Sequence, residues 1–377
     1  MTAPTGSPRG LQDVVAADSS ICYIDGEKGV LSYRGIDIHV LAEESSFEEV
    51  CFLLWEGRLP RRSELQELQG AIGRDRVLPP QALDLLRSLA GRLTPMDALR
   101  TVVSALPAMD PDAGSMEPAA NRRKAVRLTG RLATIVASLG RLTRGQTLVS
   151  PDPGRPHADD FLRMLTGETA PSAAVRAFDT ALVLHADHEL NASTFAARVT
   201  AATLADMHAA ATSAIATLRG PLHGGANEAV MKMLREIDSP DRVDEFLRGK
   251  LARREKIMGF GHRVYRTEDP RATHLRAMSR ALAESSGETR WYDISRRLEK
   301  IVAEEKKLAA NVDFYSASLY HVLGIPTGLF TPVFAVSRIA GWTAHILEQY
   351  ANNRLIRPRA EYTGPPYPQP YVPIGER

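Results

Sequence analysis

From about residue 40 onward the chain almost never alternates apolar and polar residues at the strand period; its apolar positions recur every three to four residues instead. That pattern rules out a sheet-built fold for most of the molecule. SFEEVCFLLWEGRLP opens on a Ser-x-x-Glu capping box at Ser46 and Glu49 and stops at Gly57, ahead of Pro60. Helical spacing follows at 62–72, 81–90, 95–104, 119–139, 172–184, 194–218 and 331–351. The 194–218 block is especially rich in alanine and predicts one deeply buried helix, stopped by Arg219-Gly220-Pro221. Small residues at this density let another helix approach closely, which suits a symmetric dimer seam. Strand signals are confined to ICYIDGEKGVLSYRG, residues 21–35, where two β-prone runs flank a turn with Asp25-Gly26 and Gly29. They predict a small N-terminal β-hairpin on a mainly α fold.

A length of 377 residues accommodates one large domain or two, each able to bury a full core. After Pro221 the texture changes to glycine-rich loops alternating with charged amphipathic helices, as far as about Pro326. The division read from this is a large helical domain of residues 1–220 and 328–377, with a small domain of 221–327 inserted late. Segments 107–118 and 150–156, dense in Pro, Gly and Asp, read as exposed connections. The tail from Arg357, rich in Pro and Tyr, reads as an extended strap over a neighbouring surface.

A net charge of +2 gives no footprint for nucleic acid, which needs basic residues clustered on one face. Arg198, Asp206 and His208 interrupt the most apolar stretch, so no membrane span is expected. The N-terminus has no apolar run of signal-peptide length and carries acidic residues that a mitochondrial presequence avoids. With only Cys22 and Cys51, far from any C-x-x-C spacing, a reduced cytoplasmic setting is the expectation.

Chemistry concentrates at the histidines. Five of the ten lie between His185 and His262. His223 sits in GPLHGGAN, where flanking glycines let a ligand approach the ring, a context that a core histidine does not need. His262 sits in KIMGFGHRVYR, among Lys256, Arg263, Arg266 and Arg271. Gly259-x-Gly261 alone is a weak phosphate signal, and the local choice is between an anion site and a solvated basic loop. His188, in LHADHELNAST, joins two apolar helices. Its spacing to His185 and Glu189 matches no zinc pattern, so a polar pocket that reads a hydroxyl or carboxylate fits better. Asp313, in NVDFYS, is either a helix cap or a general base tuned by burial. Arg338 interrupts an apolar helix, and a guanidinium there needs an anion or a route to solvent.

DHELNAST, GPLHGGANE, KIMGFGHRVYRTEDPRA, NVDFYS and FAVSRIAGWTAHILEQ, in this order and spacing, resemble the citrate synthase family. The resemblance runs from about residue 10 to the tail. Its length is similar to the short dimeric type, without the N-terminal β-rich domain of the longer, NADH-inhibited hexamers. The family likeness implies a mostly helical two-domain fold whose small domain closes over the substrates. It implies catalytic roles for His223, His262 and Asp313, and oxaloacetate or citrate binding by His188, Arg271, Arg338 and Arg357, the last reaching in from the partner subunit of a homodimer. Lys256, Ile257, Met258, Gly259, Phe260, Gly261, Arg266 and Asn311 fall where the family binds coenzyme A. The implied reaction is a Claisen-type condensation of acetyl-CoA with oxaloacetate, with the thioester as substrate and no metal or other cofactor. Three alternatives stay open: propionyl-CoA as the acyl donor, giving 2-methylcitrate; a non-catalytic dimer that senses citrate or CoA; and a metal-dependent hydrolase built on His185 and His188.

Overall fold

A computed structural model of the chain describes residues 9–11 and 14–377. Among these it holds sixteen α-helices and one small antiparallel sheet. The sheet has one strand more than the expected hairpin: β1 (Cys22–Asp25) pairs with β2 (Val30–Tyr33), and β2 with β3 (Ile36–Asp37). The second turn is Arg34-Gly35, both at positive φ (49° and 82°), as a two-residue hairpin loop requires. A two-residue strand is too short to show a period, and Asp37 doubles as the cap of the next helix, accepting the His39 N–H at 2.8 Å.

The remaining elements follow their local signals. Ser46 caps the Phe47–Glu56 helix, its Oγ accepting the Glu49 N–H, and Gly57 ends it in the left-handed conformation. Two long helices, Pro118–Leu142 and Phe330–Ala351, pack together at the centre and are buried along most of their length. A short helix that the pattern did not announce, His157–Thr166, packs on the first of them, with Leu165 against Gly140 and Met164 beside Thr134.

The alanine-rich block is not one helix. It forms two, Ala192–Ala201 and Met207–Leu218, packed against each other. The break is at Leu204, held at φ 62°, and Asp206, whose carboxylate accepts the N–H groups of His208 and Ala209. An aspartate followed by two free N–H groups is a helix start, and this local cap outweighs the uniform propensity of the alanines. Nor is segment 107–118 wholly exposed. Asp110 is buried, bonded to Arg127 at 2.7 Å and 3.2 Å from His208 Nε2, which ties the loop to the core.

Helices Ala226–Ile237, Val243–Ala252, Pro270–Ser286, Arg290–Lys306 and Val312–Val322 pack among themselves, and their apolar interior is continuous with the rest of the core. After Ala351 the chain is irregular and exposed. Among the described residues no helix is long and apolar enough to cross a membrane.

Candidate active site

Loop 186–191, between the Ser172–His185 and Ala192–Ala201 helices, brings His188 against the segment that follows Gly261. His188 Nε2 lies 3.2 Å from the Tyr265 hydroxyl, and the His188 and His262 rings are 5.4 Å apart, edge to face. His262 Nδ1 accepts the main-chain N–H of Val264 (3.0 Å) and of Tyr265 (3.2 Å). A nitrogen that accepts twice carries no proton, so the neutral ring presents Nε2–H.

His223 is fixed in the opposite sense. Its Nε2 accepts the Ser193 N–H (3.3 Å) and lies 2.8 Å from Ser193 Oγ, so its proton resides on Nδ1. Ser193 Oγ is held in turn by the Trp342 indole N–H at 3.1 Å. Gly224 is required beside this ring: a Cβ there would lie 2.3 Å from the Leu218 carbonyl. Burial pushes both catalytic candidates down to about 4, with help from Arg338 for His223 and from Arg271 for His262. Both rings are therefore neutral donors near neutral pH.

Two guanidiniums stand among these rings, each 2% exposed. Arg271 is engaged by Asp269, which accepts Nε at 2.9 Å and Nη2 at 2.8 Å. Burial alone would lower Arg271, but the Asp269 charge and hydrogen bonds outweigh it and hold it above its ordinary value. Arg338 is different. Its Nε donates to the His185 carbonyl at 2.7 Å, its plane lies over Phe334, and among the described residues no carboxylate bonds it. Burial brings it down to about 10. Burial also lowers His188 well below the usual histidine range, helped by the positive charge of Arg271.

Asp313 is the second residue of the Val312–Val322 helix, and Asn311, not Asp313, is its cap. Among the described residues no protein group hydrogen-bonds the Asp313 carboxylate. Burial lifts it to about 6, against the pull of Arg271 and Arg338 and with a push from Asp269. Arg271 or Arg338 thus acts on His188, His223, His262 and Asp313 alike, which marks one shared site.

Of the stretch Lys256, Ile257, Met258, Gly259, Phe260 and Gly261, the last three run along residues 309–311: Phe260 bridges Ala310, and Asn311 bonds Gly259 through its N–H and Gly261 through its side chain, both at 2.9 Å. Lys256 and Arg266 are exposed at its rim. Arg357 is not brought to the site within the chain: it lies in the exposed tail, without a hydrogen bond or ion pair among the described residues. Ser193, Tyr265 and Asp269 belong to the site although sequence reasoning gave them no role. Asp269 alone had a readable signal, as an acid directly before a proline that starts a helix. His185, considered there as a metal ligand, turns Nδ1 to the Ala181 carbonyl at 2.7 Å. Among the described residues no group of three or more His, Cys, Asp or Glu is arranged to hold a metal ion.

Comparison with known proteins agrees over the whole length. The family model for the citrate synthase C-terminal domain matches residues 10–359. Citrate synthase 2 of Bacillus subtilis (strain 168) is 52% identical over 98% of this chain and 99% of its own. A 2-methylcitrate synthase of Mycobacterium tuberculosis (strain H37Rv) is 45% identical over 97% of this chain and 93% of its own. Among solved structures, citrate synthase from Pyrobaculum aerophilum superimposes with a TM-score of 0.91 at 40% identity, covering 100% of this chain and 97% of that one. A ternary complex of carboxymethyl coenzyme A and oxaloacetate with citrate synthase from Thermoplasma acidophilum reaches a TM-score of 0.91 at 34% identity, covering 98% of each chain. With the five motifs, the fold and the matched length in agreement, the chain belongs to the citrate synthase family.

Proposed function

We propose that this chain condenses acetyl-CoA with oxaloacetate and hydrolyses the resulting thioester to citrate and coenzyme A. The observation that carries the proposal is the pairing of two neutral histidines, each locked to donate from a defined nitrogen, with a partnerless carboxylate lifted to about 6. Asp313 takes a proton from the acetyl methyl group. His223 Nδ1–H donates to the developing enolate oxygen, which makes that weak carbon acid accessible to a carboxylate base. The enolate carbon attacks the oxaloacetate ketone carbon, and His262 Nε2–H donates to the oxygen as it gains charge. Arg271, Arg338 and His188 hold the dicarboxylate.

Residues 221–327 act as a small domain that closes on the remainder once oxaloacetate is bound, excluding water from Asp313. Two copies form a homodimer, and Arg357 of each completes the partner's oxaloacetate site; its exposed position, without an ion pair among the described residues, supports that role. The stretch 256–261 with Arg266 and Asn311 takes coenzyme A, and no further cofactor is needed. Two unbridged cysteines suit a cytoplasmic setting.

Propionyl-CoA is the second reading, favoured by the 45% identity to a 2-methylcitrate synthase. One methylene in an apolar pocket changes discrimination by about 1–3 kcal/mol, so both acyl groups fit this chemistry. Thiol release from each acyl-CoA with oxaloacetate, compared as kcat/KM, decides between them. Asp313→Asn should lower turnover about 10²–10⁴-fold with oxaloacetate binding retained. Near-normal turnover removes Asp313 as the base, and no release by the parent protein from either thioester defeats the enzymatic reading.

A further inference from the structure

The N-terminal sheet touches both histidine-bearing segments. At one end the Tyr33 hydroxyl lies 3.2, 3.4 and 3.0 Å from the carbonyls of Val183, Leu184 and Asp187, immediately before His188. At the other, the β1–β2 turn abuts residues 264–268. The Gly26 carbonyl accepts the Arg266 N–H at 2.9 Å. A Cβ on Gly26 would lie 2.3 Å from the Val264 carbonyl oxygen, and one on Gly29 would lie 2.9 Å from the Thr267 methyl. The turn itself is stiff, because Asp25 Oδ1 accepts the N–H groups of Glu27 (3.1 Å) and Lys28 (3.0 Å).

We propose that the β1–β2 turn is a positioning element for His262. The inference rests on the reading of His262 as the donor to the ketone oxygen. Its physical basis is a short chain of rigid contacts. The backbone that meets Gly26 is the backbone whose N–H groups, on Val264 and Tyr265, fix His262 Nδ1 and so leave the proton on Nε2. Tyr265 also carries the hydroxyl that meets His188. Moving Val264 outward by about 1 Å, the amount by which a Cβ on Gly26 overlaps its carbonyl, therefore shifts the ring and loosens its tautomer together. The sheet sets the spacing between His188 and His262 from outside the site, without touching substrate.

Gly26 is the discriminating position. Its φ lies outside the left-handed region, so alanine suits the turn, and the nearest conflicts are all with Val264: its carbonyl first and its Cγ1 at 3.3 Å after it. Displacement of a reacting group by about 1 Å can cost about 10²-fold in rate. Gly26→Ala should therefore lower kcat with oxaloacetate and acetyl-CoA at least tenfold, with the KM for acetyl-CoA within twofold and the thermal midpoint little changed. Glu27→Ala, exposed in the same turn, should behave as the parent. Asp25→Ala loosens the turn without adding atoms and should lower kcat in the same direction, which keeps the test open if Gly26→Ala does not fold. A sheet that merely stabilised the fold would give the reverse split, a lower midpoint with kcat retained, and that result overturns the proposal. So does a parent-like kcat in either Gly26→Ala or Asp25→Ala. Failure of the parent itself to condense either acyl-CoA would instead defeat the functional reading beneath it.

Discussion

Replacing Asp269 by asparagine removes one charge and leaves the shape of the site intact. Asp269 is 1% exposed and its carboxylate accepts four hydrogen bonds: Oδ1 takes Arg271 Nε and N–H, and Oδ2 takes Arg271 Nη2 and the Val312 N–H. Asparagine keeps the first pair and turns an NH₂ toward the second, so two donors lose their acceptor and a buried guanidinium loses its counter-charge. Breaking a buried ion pair from one side costs about 3–5 kcal/mol. With an unfolding entropy of about 2.1 cal/mol/K per residue, that loss lowers the thermal midpoint by about 4–6 °C for a chain of this length. A second effect has its own sign. The Asp269 charge helps to raise Asp313, so its removal lowers the Asp313 carboxyl below about 6. With Asp313 as the proposed base, which works ionised, activity is lost as pH falls through its pKa; the acid limb of kcat/KM therefore moves to lower pH in the variant. Calorimetry and a kcat/KM profile between about pH 5 and 8 read the two effects separately. A midpoint within 1 °C of the parent, about the resolution of the measurement, or an acid limb displaced upward would refute the reasoning.

Two other substitutions test packing, one beside the site and one in the core away from it. A Cβ at Gly341 would lie 2.3 Å from Asp187 Oδ1 and 2.4 Å from the Ala186 carbonyl, so Gly341→Ala must part the Phe330–Ala351 helix from the loop that carries His188. It should cost about 1–3 kcal/mol in denaturant unfolding and raise the KM for oxaloacetate. Burial lifts Asp179 to about 7, with a further push from Glu48, so the folded state holds a proton that the unfolded chain releases between its ordinary 3.8 and about 7. That contribution is present at low pH and lost as pH rises, and Asp179→Asn, which keeps an acceptor for the Phe47 N–H, should raise the thermal midpoint at pH 8 more than at pH 5.

How much of this was legible in the sequence depends on the range of the interaction. Ser46, Gly57 and Asp37 act within one turn of the chain, and the helix starts and stops that they set are local chemistry. Leu204 and Asp206 are equally local, yet the alanines around them gave a continuous helical period, and a cap was hidden inside it. The site divides the same way. His223 and His262 were marked by the glycines beside them, because space for a ligand must be written next to the ring. Their tautomers were not readable, since these depend on Ser193, thirty residues away in the chain, and on main-chain N–H groups of Val264 and Tyr265. Asp313 was recognised as either a cap or a base, and only the fold separates the two, by giving the cap to Asn311.

The overall charge of +2 is silent about the feature that organises the site, which is the asymmetry between its two arginines. Arg271 is neutralised by Asp269, whereas Arg338 is buried with a backbone carbonyl as its hydrogen-bond partner. Both pull the Asp313 carboxyl down. On the proposed reaction, oxaloacetate supplies the carboxylate hydrogen bond that Arg338 lacks, adding to the more distant charge of Asp187, and its second carboxylate faces Arg271. Binding therefore cancels the two attractions that oppose the rise of Asp313 and adds negative charge beside it. Each change favours the protonated carboxyl. On this reading the base becomes stronger only after the first substrate is in place, so electrostatics contributes to the order of the reaction. The consequence has a definite sign: the acid limb of kcat, which reports the bound enzyme, should lie at higher pH than the acid limb of kcat/KM measured for oxaloacetate, which reports the free one. Coincident limbs, or the opposite order, would mean that Arg338 and Arg271 do not govern Asp313 in the way their burial implies.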